Sequence, residues 1–178
     1  KNISGKHFLT AVVAGYEVAT RIGSAAGTEL LLRGFHPQGT HGTIASAVTA
    51  AKLMTLNKEQ TLHAMGIAGS LGAGLMAAQE GAMVKRLHSG RAAEAGVLAA
   101  ELAAKKFTGI SNIIEADYGG YLSSFSGQNN FTRATDQLGE VWECANTGIK
   151  PYSSVTSIHA ALDCLKAIMK DNKIYPNN

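Results

Sequence analysis

The stretch SGRAAEAGVLAAELAAKK, from Ser89 to Lys106, carries Ala92, Gly96, Ala99 and Ala103 three and four positions apart. That spacing places side chains on one face of an α-helix. Every member of the seam is Ala or Gly, with Val97 and Leu102 beside it, so a neighbouring helix can approach closely. The seam reads as the centre of a helical bundle, with Ser89 as the expected helix start and Thr108–Gly109 as its end.

Helical periodicity continues on both sides. Ser4 predicts an N-cap for a helix to about Ile22, stopped by Gly23, with Phe8, Ala11, Val12, Gly15, Ala19 and Ile22 on one face. Gly27 to Arg33 reads as a short helical turn, and the chain must be extended before Pro37. A helix from about Gly39–Thr40 to Met54 follows, with Ile44, Val48 and Ala51 inward. Asn57 with Gln60 three positions later predicts a capping box for a helix to about Leu71, whose buried stripe holds Leu62, Met65, Gly66 and Gly69. Leu75–Gln79 reads as a short helical run. Ser111 is an expected cap for a short helix over Ile113–Asp117, and another lies near Tyr121–Phe125. After Gly139 the pattern changes. Val141–Ala145 reads as a strand, Gly148–Tyr152 as extended or turned, and Thr156 or Ser157 caps a last helix over His159–Met169. The expected fold is mainly α with one or two late strands. It divides into a helical domain over 1–139 and a strand-turn-helix segment over 140–178.

Composition narrows the class. The chain has 178 residues, 46% of them apolar and only 6% aromatic, with 20 glycines, enough for a core built from small side chains. A net charge of +3 without any Lys/Arg block speaks against nucleic acid. No apolar run reaches the roughly 20 residues that span a bilayer. Cys144 and Cys164 lack metal-ligand or scaffold spacing and read as reduced thiols of a cytoplasmic protein. Nothing suggests a metal, nucleotide or flavin, so no cofactor is expected. Lys1–Ser4 has neither an initiator Met nor a signal pattern and leads straight into a helix, which reads as an internal piece of a longer chain.

Three places concentrate chemistry. Around Gly34–Phe35–His36–Pro37, Gly39 and Thr40 open a helix whose free N–H groups suit a carboxylate. His36 at that mouth either moves a proton near neutral pH or is a loop histidine satisfied by backbone. In Lys85–Arg86–Leu87–His88–Ser89–Gly90–Arg91, three cations and a histidine cluster around the expected helix start. They form either an anion site or a solvated basic turn. Gly90 there fits tight packing as readily as ligand approach. Lys150, before Pro151–Tyr152, either faces the same pocket or is exposed, and His159 either joins it or packs within its helix.

These segments occur in an order that resembles the MmgE/PrpD family. Gly15–Tyr16–Glu17–Val18 with Arg21–Ile22–Gly23 resembles its GYEV-x-x-RIG helix, and Gly34–Phe35–His36–Pro37 with Gly39, Thr40 and Gly42 its GFHPTGT-x-G stretch. Ala50–Leu53 and Ala64–Ser70 look like its next two helices. Lys85 to Ala93 is similar to its K-x-LH-x-GRAA segment. Phe107–Thr108–Gly109, Ile149–Tyr152 and His159–Asp163 match later landmarks. Six motifs in register over nearly the whole chain are hard to obtain by chance. Gln38 stands where the family has Thr, and Ser153–Ser154–Val155 stands where many of its dehydratases carry Pro, Cys and a basic residue.

The resemblance implies a helical domain, a smaller α/β lid domain and a homodimer. It implies cofactor-independent proton or carboxylate chemistry on small di- or tricarboxylates. The family includes 2-methylcitrate dehydratase, cis-aconitate decarboxylase and iminodisuccinate epimerase, and a dehydratase-like lyase is the leading expectation. It further implies that His36, Lys85 and Lys150 are catalytic, with Arg86, His88, Gly39, Thr40, Tyr152 and His159 binding substrate. The family's upstream Asp and His segment would precede Lys1, and its lid-domain tyrosine would follow Asn178. A non-catalytic helical scaffold, or a ligand-binding helical module resting on the Lys85–Arg91 cations, is the alternative from another class.

Overall fold

The computed structural model describes residues 2–127 and 130–175. Seven α-helices occur among them: α1 (Gly5–Ala26), α2 (Glu29–Leu32), α3 (His41–Leu53), α4 (Lys58–Leu71), α5 (Val84–Ala104), α6 (Phe131–Thr135) and α7 (His159–Asp171). The chain forms two compact units, Lys1–Ala145 and Asn146–Asn178. In the first, α3 packs against α1, α4 and α5.

The local signals for helix ends act as expected at two of the starts. Ser4 Oγ accepts from His7 N–H at 3.2 Å. Asn57 Oδ1 accepts from Gln60 N–H at 2.9 Å while Gln60 Oε1 accepts from Asn57 N–H at 3.1 Å, closing the capping box of α4. Ser4 and Asn57 therefore satisfy otherwise orphaned amides.

The small-residue seam is the core. Ala92, Ala99 and Ala103 are buried, as are Ile44, Ala47 and Ala51 on α3 and Ala64 and Ala68 on α4. Gly96 sets how near α5 comes to α3, because a Cβ there would lie 2.4 Å from Ser46 Cβ and 2.6 Å from Ala47 N. Gly15 does the same for α1, where a Cβ would meet Thr49 Oγ1 at 2.0 Å. Backbones this close bury little side-chain area per residue, so dispersion between many short contacts replaces large apolar groups. Phe8 and Leu62, expected on buried faces, are exposed.

Several boundaries differ from the sequence expectation. α1 runs through Gly23 to Ala26 and stops at Gly27, whose φ of 63° is a backbone conformation that favours glycine. α5 begins at Val84 rather than Ser89, so Lys85, Arg86 and His88 lie within its first two turns. Ile113–Asp117 forms turns instead of a helix. The strand expected over Val141–Ala145 is absent, and Glu143–Asn146 is a 3-10 turn. Its backbone partners explain this. Val141 C=O accepts from Arg21 Nη2 at 2.6 Å, and Cys144 N–H donates to Glu17 Oε2 at 2.9 Å. Side chains of α1 satisfy groups that a neighbouring strand would otherwise pair with.

Candidate active site

The bend before α3 is built by two loops lying side by side. His36 N–H donates to Gly74 C=O at 3.0 Å, Met76 N–H to Gly34 C=O at 2.8 Å and Ala73 N–H to Gly39 C=O at 2.9 Å. Phe35 anchors the bend edge-on to Phe125, their ring centroids 4.9 Å apart, and Phe125 lies 4.9 Å from the buried Tyr121. Gly39 allows the close pairing, since a Cβ there would lie 1.9 Å from Ala73 O.

This frame brings His36 to His88, 52 residues away, with the two Nδ1 atoms 2.8 Å apart. His36 is buried, whereas His88 is half-buried. Gly74, at φ +141°, leaves room for the His88 ring, whose Nδ1 would stand 3.0 Å from a Cβ. Burial, reinforced by the positive charge that His88, Lys85 and Arg86 bring, holds His36 below the ordinary imidazole range. A neutral imidazole that resists protonation until it meets a proton donor is suited to act as a base.

Lys85 and His88 are three apart on α5 and share one face. Lys85 is half-buried and Arg86 is exposed. Cations in the first turn of a helix oppose its dipole, and no acidic residue stands there to offset them. That unfavourable concentration is what an anionic ligand would relieve. Gly90 faces open space, so tight packing does not account for it.

The other proposed donors of the bend are committed internally. Gly39 N–H donates to His36 C=O at 3.0 Å. Thr40 is fully buried, and its hydroxyl donates to the carbonyls of His36 and Pro37, each at 3.2 Å. Both residues shape the loop; neither presents a free group to a ligand.

A cleft of about 250 Å³ lies beside the pair, lined by Gly39, Ala73, Gly74, Leu87, His88 and Arg91 among others. Sequence reasoning assigned no role to Gly74 and named Arg91 only as one of the cations of the Lys85–Arg91 stretch. The glycine-rich Gly72–Ala73–Gly74 turn was the available signal for the first. A larger hollow of about 440 Å³ between α1, α3 and α5 is lined by residues such as Val12, Ala19, Ala50 and Val97, with no charged side chain.

The second unit holds the remaining candidates. Lys150 is exposed. Tyr152 donates its hydroxyl to Asp163, and its ring meets His159 edge-on at 5.1 Å while the Lys166 ammonium lies 5.1 Å from its centroid. The hydrogen bond to Asp163 pushes the Tyr152 phenol up from its ordinary range. His159 Nε2 lies 3.3 Å from Ser154 C=O. Tyr152 and His159 thus pin the turn onto the start of α7.

Among the described residues, no group of three or more His, Cys, Asp or Glu is placed to hold a metal ion. No helix of the described residues is long and apolar enough to cross a membrane.

The MmgE/PrpD N-terminal domain matches residues 1–134. A cis-aconitate decarboxylase-like protein of Aspergillus oryzae is 36% identical over 98% of this chain, and a cis-aconitate decarboxylase of Aspergillus terreus is 32% identical over 96%. The human cis-aconitate decarboxylase is 33% identical over 69% of the chain. The chain spans 37%, 36% and 26% of the lengths of these three relatives. Helical architecture, the order of its motifs and these matches agree: the chain belongs to the MmgE/PrpD family.

Proposed function

We propose that this chain forms the helical part of a cofactor-independent lyase that moves a proton next to a carboxylate of a small di- or tricarboxylate. The observation that carries the reading is the buried His36, paired with His88 beside the cationic first turn of α5. In this reading His36 takes the proton. Lys85 supplies the positive field for a substrate carboxylate and for the negative charge that develops when its α-proton leaves; Lys150 is catalytic in this reading by the family resemblance alone. Arg86 adds long-range attraction, and Tyr152 and His159 orient the turn that carries Lys150. Gly39 and Thr40 serve by shaping the bend.

Two reactions suit this arrangement. Dehydration of an acid such as 2-methylcitrate is one. Decarboxylation of a cis-aconitate-like acid is the other, favoured by the relatives' names. Both pass charge through a carbanion-like centre beside a carboxylate, so the same field serves each. Epimerisation of an iminodisuccinate-like acid begins with the same step.

The same reading carries a homodimer, a cytoplasmic setting, and a segment over 140–178 that leads towards a lid domain.

The test is turnover of citrate, 2-methylcitrate, cis-aconitate and iminodisuccinate by the protein and by its Lys85→Ala variant. Consumption of one acid, with turnover reduced about 10²–10³-fold in the variant, is expected. No consumption of any acid would favour a helical scaffold, and an unimpaired variant would remove Lys85 from the site.

A further inference from the structure

The His36–His88 contact joins Nδ1 to Nδ1 at 2.8 Å. Two such atoms at hydrogen-bond distance need one proton between them. With none, two lone pairs face each other; with two, two N–H groups collide. The rings therefore form a unit in which one Nδ1 donates and the other accepts. They differ in access, since His36 is buried and His88 lines the cleft.

We propose that His88 is the proton relay of His36, a role that rests on the lyase reading for the identity of the proton donor. In the resting pair His36 carries its proton on Nδ1 and donates to His88 Nδ1, which leaves His36 Nε2 free as a base. When that Nε2 takes a proton, the Nδ1 proton passes to His88. His36 is then neutral again, protonated on Nε2, and His88 is the cation. His88 releases its own Nε2 proton to water in the cleft. One proton enters, one crosses and one leaves, and the reverse sequence lets His36 act as an acid.

Exposure to the cleft is what favours movement of charge away from His36. Lys85 and Arg86 act on it from α5, and Arg91 lines the cleft from the same helix, but these cations flank His88 as well and do not choose between the rings. The bend Pro37–Gly39 and the Leu71–Leu75 stretch packed against the pair carry no titratable side chain. The cation is therefore better placed on the half-buried ring than on the buried one. Gly74 keeps the His88 ring in place by leaving its Cβ volume empty.

The decisive measurement is ¹⁵N NMR of the histidine side chains in the 178-residue chain across roughly pH 5–8. His36→Asn and His88→Asn variants assign the two rings. The expected result is complementary tautomers and a single shared proton uptake, both rings shifting with one midpoint. Two independent titrations, or both rings holding their proton on Nε2, would overturn the relay. In His88→Asn the amide oxygen still accepts from His36 Nδ1, so orientation is kept while the onward transfer is lost. Turnover should then fall at least tenfold with KM little changed; normal turnover would also overturn the proposal. If the unmodified protein consumes no acid while the shared titration holds, the lyase reading fails and the proton-sharing pair stands.

Discussion

Arg21 Nε donates to Glu17 Oε1 at 2.5 Å one turn away in α1, with both side chains buried. The Arg21 guanidinium also donates from Nη1 to Asp136 C=O at 2.7 Å and from Nη2 to Val141 C=O at 2.6 Å. Burial raises the Glu17 carboxyl, but the Cys144 N–H and Arg21 outweigh it and hold the group below its usual range. Two charged residues of one helix thus close the 134–144 stretch over the bundle. Removing one partner strands the other as a buried charge.

Arg21→Ala is accordingly expected to cost about 3–5 kcal/mol in urea unfolding. Glu17→Gln keeps a hydrogen-bonding group and should cost less, about 1–3 kcal/mol. A loss under about 1 kcal/mol for Arg21→Ala would mean that the clamp is a surface feature.

Gly96 and Gly90 lie on the same helix in opposite situations. A Cβ on Gly96 collides with Ser46 and Ala47, whereas one on Gly90 meets nothing within 4 Å. Gly96→Ala should force α3 and α5 apart and destabilise by about 1–3 kcal/mol. Gly90→Ala should stabilise by about 0.5–1 kcal/mol through helix propensity alone. Thermal unfolding of the two variants side by side checks the contrast; equal shifts would contradict the packing at the seam.

His41 at the start of α3 is pushed down to about 4 by burial, and its Nδ1 lies 3.4 Å from the Tyr121 hydroxyl. The unfolded chain binds this proton near pH 6.5 and the folded chain only near pH 4, so stability is complete above the first value. It falls as pH drops through that window, by about 3 kcal/mol from this group. His36 contributes in the same direction. Urea midpoints at neutral and acid pH should therefore diverge in the unmodified protein and converge in part in His41→Gln. An unchanged acid loss in that variant would remove His41 as a cause.

Gly74→Ala tests the frame of the site. At φ +141°, with His88 Nδ1 only 3.0 Å from the added Cβ, the variant should lose about 1–3 kcal/mol through backbone strain. It should also displace His88, visible as separation of the two imidazole titrations. Retention of both stability and a shared titration would show that the loop has room to spare.

The capping box at Asn57–Gln60, the N-cap at Ser4 and the Ala/Gly seam of α5 were legible in the sequence because their partners lie within four residues or repeat at the helical period. The extended approach to Pro37 was legible for the same reason, being dictated by sterics between adjacent residues. The start of α5 was less so. Ser89 resembles a cap, yet the helix continues back to Val84 and carries Lys85 and His88 onto its inner side. Val141–Ala145 has the composition of a strand, but a strand needs a neighbour, and α1 provides Arg21 and Glu17 instead.

By itself, then, the sequence determined the helices, their small-residue faces and the positions of the bend and the cationic stretch, all consequences of local backbone geometry and periodicity. Only the tertiary structure decided that His36 meets His88, that Thr40 is buried and that Gly74 makes room for an imidazole. Those facts depend on how closely α3 and α5 approach through Gly96 and on two loops zipped together, distances that no local spacing encodes.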